Sequence, residues 1–154
     1  MRRIQIKREF CDGCMKCTAA CAAEHNPTGS GNLEEMDSVE IQNESRISIL
    51  PDADGHFTPL FCRQCDEPQC ALACVSGAMA KNPLSGRVTY DADRCAACFM
   101  CVLACPFGVL KPGQRTHSVI VKCDLCNRRD TPRCVESCPK GALLVMEVDA
   151  PCIM

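Results

Sequence analysis

The chain has no tryptophan, one tyrosine and five phenylalanines in 154 residues, too few bulky side chains to build a large apolar core. A chain of this kind is expected to draw part of its stability from bound inorganic matter. Long hydrophobic runs are also missing. Patches such as ALLVM stop well short of the roughly 18 apolar residues of a membrane span. The opening MRRIQIKREFC carries an arginine pair but neither an apolar h-region nor a small-residue cleavage site, so no export signal is read there. Excess charge is lacking as well: Lys and Arg number 17 against 19 Asp and Glu, scattered along the chain, which gives nucleic acid no footing. A Rossmann fingerprint and a phosphate loop are both absent, and with them the usual nucleotide enzymes.

What the chain has in quantity is cysteine, 17 residues or about 11%. In a secreted chain that density would indicate a disulfide scaffold. Without a signal for export the expected location is cytoplasmic, where thiols stay reduced and dense cysteine indicates metal.

The cysteines repeat. Four groups are found: Cys11, Cys14, Cys17 and Cys21; Cys62, Cys65, Cys70 and Cys74; Cys95, Cys98, Cys101 and Cys105; and Cys123, Cys126, Cys134 and Cys138. Written as intervening residues, the spacings are 2,2,3 then 2,4,3 then 2,2,3 then 2,7,3, so only the middle gap varies. The stretch CDLCNRRDTPRCVESC is therefore a fourth copy with an enlarged loop, not a broken site. Thiolates at i, i+3 and i+6 suit three corners of a cubane iron-sulfur cluster, while the fourth cysteine of such a run serves a different cluster. A helix beginning near the third cysteine would put the fourth one turn on, a rise of roughly 6 Å, and so tie neighbouring clusters together. In three copies, CVSGAMA, CPFGVLK and CPKGALL, a glycine follows three residues after the last cysteine and apolar residues suited to a strand come next. Structural zinc fits less well, because it takes CxxC pairs a dozen or more residues apart, whereas here four thiolates crowd into eleven residues.

The order of the four groups resembles the polyferredoxin-type electron-transfer subunits that accompany tungsten and molybdenum oxidoreductases (aldehyde oxidoreductase, formate dehydrogenase), hydrogenases and carbon monoxide dehydrogenase. The similarity runs from Cys11 to Cys138, and CDGCMKCTAACAAEHN is most like the short members found with tungsten aldehyde oxidoreductases and carbon monoxide dehydrogenases. The resemblance implies an α+β fold of two bacterial-ferredoxin-like units with short helices and small antiparallel hairpins, the second inserted into the first. The outer unit would take residues 1–58 and 115–154, and the inserted unit 59–114. It implies four [4Fe-4S] clusters: cluster 1 on Cys11, Cys14, Cys17 and Cys138; cluster 2 on Cys21, Cys123, Cys126 and Cys134; cluster 3 on Cys62, Cys65, Cys70 and Cys105; cluster 4 on Cys74, Cys95, Cys98 and Cys101. All iron would be held by these sixteen cysteines, with no catalytic residue. The function implied is to relay single electrons between a catalytic subunit, with a tungsten or molybdenum enzyme preferred, and an electron carrier or flavin subunit. A freely diffusing polyferredoxin and a zinc-bound interaction module are the alternatives.

Strand patterns agree with nesting. RIQIKREF alternates and LLVMEV can pair with it; AMAKNPLSGRVTYDADRC reads as strand, turn, strand; RISIL is a strand followed by a turn at PDADGH. Residues 26–61 are expected to lie outside both cluster cores, with LEEMDSVE as a solvated face. Arg128, Arg129 and Arg133 place positive charge in the enlarged fourth loop, whereas the third group is wrapped in apolar residues; the expectation is a higher potential for cluster 2 than for cluster 4, and a contact for a partner subunit or a second copy. His25 is expected at the surface or at a helix cap, and Tyr90 and Phe107 in packing roles. Cys152 in the terminal PCIM stands third from the end, which misses the prenylation rule, and is expected as a free, buried thiol.

Overall fold

The computed structural model describes residues 1–25, 37–113 and 120–148. Cys152 and the first half of the acidic stretch LEEMDSVE, residues 33–36, lie outside the described residues.

Strand β1 (Arg2–Ile6) opens the chain and pairs antiparallel with the last strand, β8 (Leu143–Glu147), matching Ile4 to Val145 and Ile6 to Leu143. The alternation of RIQI turns Ile4 inward, and Leu143 is 1% exposed beneath it. After a 3-10 turn at Arg8–Phe10 comes α1 (Lys16–Glu24), then α2 (Ser38–Glu44), whose first turn is capped by the Asp37 carboxylate accepting from the Glu40 amide at 2.7 Å. Strands β2 (Ile47–Pro51) and β3 (Phe57–Phe61) form a hairpin, pairing Ile47 with Phe61 and Ile49 with Pro59. Its turn is closed by the Asp52 carboxylate, which accepts from the amides of Asp54 and His56.

Next come α3 (Gln69–Leu72), β4 (Met79–Lys81), β5 (Val88–Tyr90) and α4 (Met100–Leu103). Strands β4 and β5 pair across a turn in which the Asn82 side-chain carbonyl accepts from the amides of Leu84 and Ser85. Then β6 (Lys111–Pro112) pairs with β7 (Ile120–Val121), and α5 (Arg133–Glu136) precedes β8. Among the described residues the sheets are four separate antiparallel pairs. This is a mixed α+β structure of short helices and two-stranded sheets.

Two apolar clusters organise it. One gathers Ile4, Ile47, Ile49, Phe61, Leu125 and Leu143 around Cys17, Cys21 and Cys134. The other gathers Met79, Val88, Leu110 and Ile120 around Cys70 and Cys101. The hairpin β2–β3 thus belongs to the first core, which corrects the expectation that residues 26–61 stay outside it. The reason is packing: Ile47, Ile49 and Phe61 face one side of the hairpin and cover the thiols of α1, and Phe57 lies against Gly13 of the first cysteine loop.

Candidate metal centres

Each cysteine group has the same local architecture. A helix begins one residue before the third cysteine in all four: Lys16 before Cys17, Gln69 before Cys70, Met100 before Cys101, Arg133 before Cys134. The fourth cysteine follows one turn on, and after Cys74, Cys105 and Cys138 the chain turns at Gly77, Gly108 and Gly141, each with φ near +60° and each donating its amide back to that cysteine's carbonyl. The third cysteine is buried in every group: Cys17 7%, Cys70 8%, Cys101 8% and Cys134 7% exposed.

The residue two beyond the first cysteine is left-handed in all four loops: Gly13 (φ 73°), Gln64 (φ 52°), Ala97 (φ 53°) and Leu125 (φ 59°). In the two loops with the 2,2,3 spacing, Met15 and Phe99 are left-handed as well. A turn of this type lines up successive N–H groups on its concave side, which suits an anionic cluster. Only glycine adopts this conformation without cost, so the three other loops hold it against roughly 1 kcal/mol each. No sequence pattern marked these positions, since Gly, Gln, Ala and Leu share no side-chain property.

The thiols meet across the groups. Cys11, Cys14, Cys17 and Cys138 line one small pocket, walled by Ile49, Pro59 and Leu143. Cys74, Cys95, Cys98 and Cys101 line another, walled by Met79, Tyr90, Phe99 and Ile120. Burial, together with the neighbouring Cys62 and Cys105, pushes the Cys70 thiol up to about 11; burial and the same two neighbours also raise Cys65. Burial likewise raises Cys134, and Cys123, Cys21 and Cys126 add to it. Burial takes the Cys17 thiol to about 11 and the Cys123 thiol to about 12. These are sulfurs that resist becoming anions on their own, because thiolates packed together out of water repel one another. A cationic iron centre removes that penalty, so the donor set fits iron-sulfur clusters. The sixteen group cysteines are free of disulfides.

Main-chain amides also point at sulfur: Met79 to Cys74 Sγ at 3.2 Å, Ala142 to Cys138 Sγ at 3.3 Å, Arg46 to Cys21 Sγ at 3.4 Å, Leu125 to Cys123 Sγ at 3.4 Å and Arg133 to Cys126 Sγ at 3.5 Å. Such bonds favour the more negative, reduced state of a cluster.

The structure refines two expectations about side chains. His25 does end α1, yet its ring is turned inward with 11% exposed, Nε2 at 3.2 Å from Asp124 Oδ1 and Nδ1 at 2.9 Å from the Cys21 carbonyl. Arg46 pairs with the same carboxylate at 2.8 Å. The enlarged fourth loop is less basic in effect than in composition, because Arg129 lies 2.8 Å from Glu136 and 3.5 Å from Glu24, and Arg133 lies 3.1 Å from Glu136. Arg128 remains exposed. Tyr90 does pack, against the second core, with its hydroxyl accepting from the Ile120 amide at 3.3 Å. Phe107 is 45% exposed and lies 6.0 Å from the Arg63 guanidinium.

A mixed fold of short helices and paired strands that presents convergent groups of reduced thiols defines the class: a ferredoxin-like iron-sulfur protein. Residues 53–148 match the 4Fe-4S dicluster domain, and the chain belongs to that family. It is 32% identical to the electron transport protein HydN of Escherichia coli (strain K12), over 89% of this chain and 83% of that one. It is 35% identical to the NADH-dependent phenylglyoxylate dehydrogenase subunit beta of Aromatoleum evansii, over 86% of this chain and 27% of that one. Among solved structures, the fold is shared with a chain of the active site complex BamBC of benzoyl coenzyme A reductase, with a TM-score of 0.54 at 23% identity, covering 95% of this chain and 79% of that one. The chain is an electron-transfer protein carrying [4Fe-4S] clusters, not a substrate-converting enzyme. Among the described residues no helix is long and apolar enough to cross a membrane.

Proposed function

We propose that the chain holds four [4Fe-4S] clusters and relays single electrons through them between a catalytic oxidoreductase subunit and an electron carrier or flavin subunit in the cytoplasm. Cluster 1 would be held by Cys11, Cys14, Cys17 and Cys138, cluster 2 by Cys21, Cys123, Cys126 and Cys134, cluster 3 by Cys62, Cys65, Cys70 and Cys105, and cluster 4 by Cys74, Cys95, Cys98 and Cys101. The observation that carries this is the pocket shared by Cys11, Cys14, Cys17 and Cys138, which joins the first cysteine group to the last cysteine of the fourth. The pocket shared by Cys74 with Cys95, Cys98 and Cys101 repeats the exchange between the second and third groups. The two apolar cores and the pairing of β1 with β8 support a nested arrangement, residues 59–114 forming a unit set into one built from 1–58 and 115–154.

A bound [4Fe-4S] cluster supplies reversible one-electron transfer. The residues of this chain hold the sulfurs in place, shield them from water with Leu143, Met79 and Ile120, and direct amides at them. The relative that is a named subunit of an NADH-dependent dehydrogenase supports a role inside a complex. Within that role, the first group's resemblance favours a tungsten or molybdenum aldehyde oxidoreductase as the catalytic partner. Anoxic purification of the native protein tests both parts. The expected outcome is about sixteen iron and sixteen acid-labile sulfide per chain with a stoichiometric partner. About eight of each would reduce the proposal to two clusters, and a chain that purifies alone with its full iron would make it a diffusing carrier.

A further inference from the structure

The residue before the first cysteine is Phe10, Phe61 and Arg94 in the first three groups and Lys122 in the fourth. Lys122 is 5% exposed, an unusual state for an ammonium group. Its Nζ donates to the Val88 carbonyl at 2.5 Å and to the Cys123 carbonyl at 2.9 Å. Both acceptors are neutral main-chain groups. A second buried polar side chain, Gln64 at 1% exposed, bonds to the same two residues: its amide donates to the Cys123 carbonyl at 3.0 Å, and its Oε1 accepts from the Val88 amide at 2.8 Å. Val88, Gln64, Cys123 and Lys122 thus form a closed ring of hydrogen bonds.

The ring sits where two cysteine groups meet. Gln64 is the left-handed residue between Cys62 and Cys65, and Lys122 immediately precedes Cys123. The ring therefore joins the loop of the second group to that of the fourth, and through Val88 both are tied to the inner hairpin β4–β5. Burying an ammonium between carbonyl dipoles is costly unless negative charge lies close by. Clusters bound by Cys123 on one side and by Cys62 and Cys65 on the other would provide it.

We propose that Lys122, held by the Gln64 ring, is a potential-setting residue: a fixed positive charge at the junction of clusters 2 and 3 that makes these two the first to be reduced and the resting place of the electron. This rests on the four-cluster reading above. It stands beside the arginine loop as a source of positive charge at cluster 2, where Arg129 and Arg133 are paired with glutamates and Arg128 is exposed. Cys17 and Cys21 lie one helical turn apart, as do Cys70 and Cys74, so clusters 2 and 3 would stand between clusters 1 and 4, and an electron entering at either of the latter would fall towards the middle.

The test is redox titration of the holoprotein followed by EPR. Lys122→Met and Lys122→Gln are expected to lower the reduced-to-oxidised ratio of two clusters at least tenfold at fixed poise, about 59 mV for a one-electron couple. Lys122→Arg should stay within threefold of wild type. Unchanged potentials in a neutral variant with full iron, or an equal shift in all four clusters, would overturn the inference and leave the four-cluster reading intact; iron near eight per wild-type chain would overturn that reading instead. Should the neutral variants fail to load, the wild-type order decides. Replacement of the exposed end ligands, Cys14→Ser and Cys98→Ser, should leave the first signal to appear on stepwise reduction unaltered. If either substitution changes that first signal, the electron rests at an end and Lys122 does not set the order.

Discussion

His25 shows how one side chain can tie a helix end to a distant cysteine loop. Burial alone would push its pKa down, but the hydrogen bond to Asp124, with those to the Cys126 and Cys21 sulfurs, outweighs burial and raises it to about 12. Burial also works to raise the Asp124 carboxyl, and the His25 hydrogen bond and the Arg46 charge overcome it, holding it well below the usual carboxylate range. The sign for His25 follows from a folded value above the ordinary 6.5. Its contribution to stability is complete below about pH 6.5 and is lost progressively as pH rises towards 12. Anoxic denaturation of the holoprotein is expected to show stability falling from pH 7 to pH 10. His25→Gln should cost about 1.5–3 kcal/mol at pH 6 and flatten the slope. A variant that keeps the wild-type slope would mean that His25 is not the titrating group.

At the scale of elements, the cysteine loops are set by backbone shape more than by side-chain chemistry. Gly13 has φ +73°, and a Cβ built there would lie 2.7 Å from the Phe57 ring. Gly13→Ala therefore combines left-handed strain with a clash and should destabilise the holoprotein by about 2–3 kcal/mol, with loss of iron from cluster 1 first. Ala97 carries the same strain at φ 53° without the benefit of glycine. Ala97→Gly should stabilise by about 0.5–1 kcal/mol, read as a higher denaturant midpoint for bleaching of the cluster absorbance. If both changes destabilise alike, the left-handed geometry is not what the loops require. Much of this level could be read in advance: strands β1, β2, β4, β5 and β8 follow from alternation and from the turns between them, and the helix starts follow from the gap of three before each fourth cysteine. Helices α3, α4 and α5, four residues each, are too short to show a period, and only ligand spacing gives them away. The two-residue strands β6 and β7 carry no pattern at all. Gln64 and Lys122 were invisible for a different reason, because their partners Cys123 and Val88 stand 59 and 34 residues away and a polar side chain in isolation reads as surface.

For the whole molecule, the question is what keeps two small cores in register when little apolar surface is available. Hydrogen bonds at the Gln64 ring do part of this, and ion pairs at Asp66 do another part. Arg3 of β1 reaches Asp66, next to Cys65, at 2.7 Å, and Lys81 of β4 lies 3.4 Å from the other carboxylate oxygen. The first strand, the second cysteine group and the inner hairpin therefore meet at one carboxylate. The Arg3 hydrogen bond, against the opposing effect of burial, holds the Asp66 carboxyl below its ordinary value of 3.8. That sign means the contribution is present above about pH 3.8 and lost only as pH falls through the depressed folded value. A double-mutant cycle of Arg3→Gln and Asp66→Asn is expected to give a coupling of about 0.5–1 kcal/mol, since both side chains are partly exposed. The coupling should be the same at pH 8 and pH 5, where the carboxylate stays ionised, and should shrink in high salt. If Asp66 instead anchors the two cores through Lys81 alone, the Arg3 cycle will show no coupling. Lys81→Met would then loosen the junction by itself, visible as faster amide exchange in β1 and β4 together.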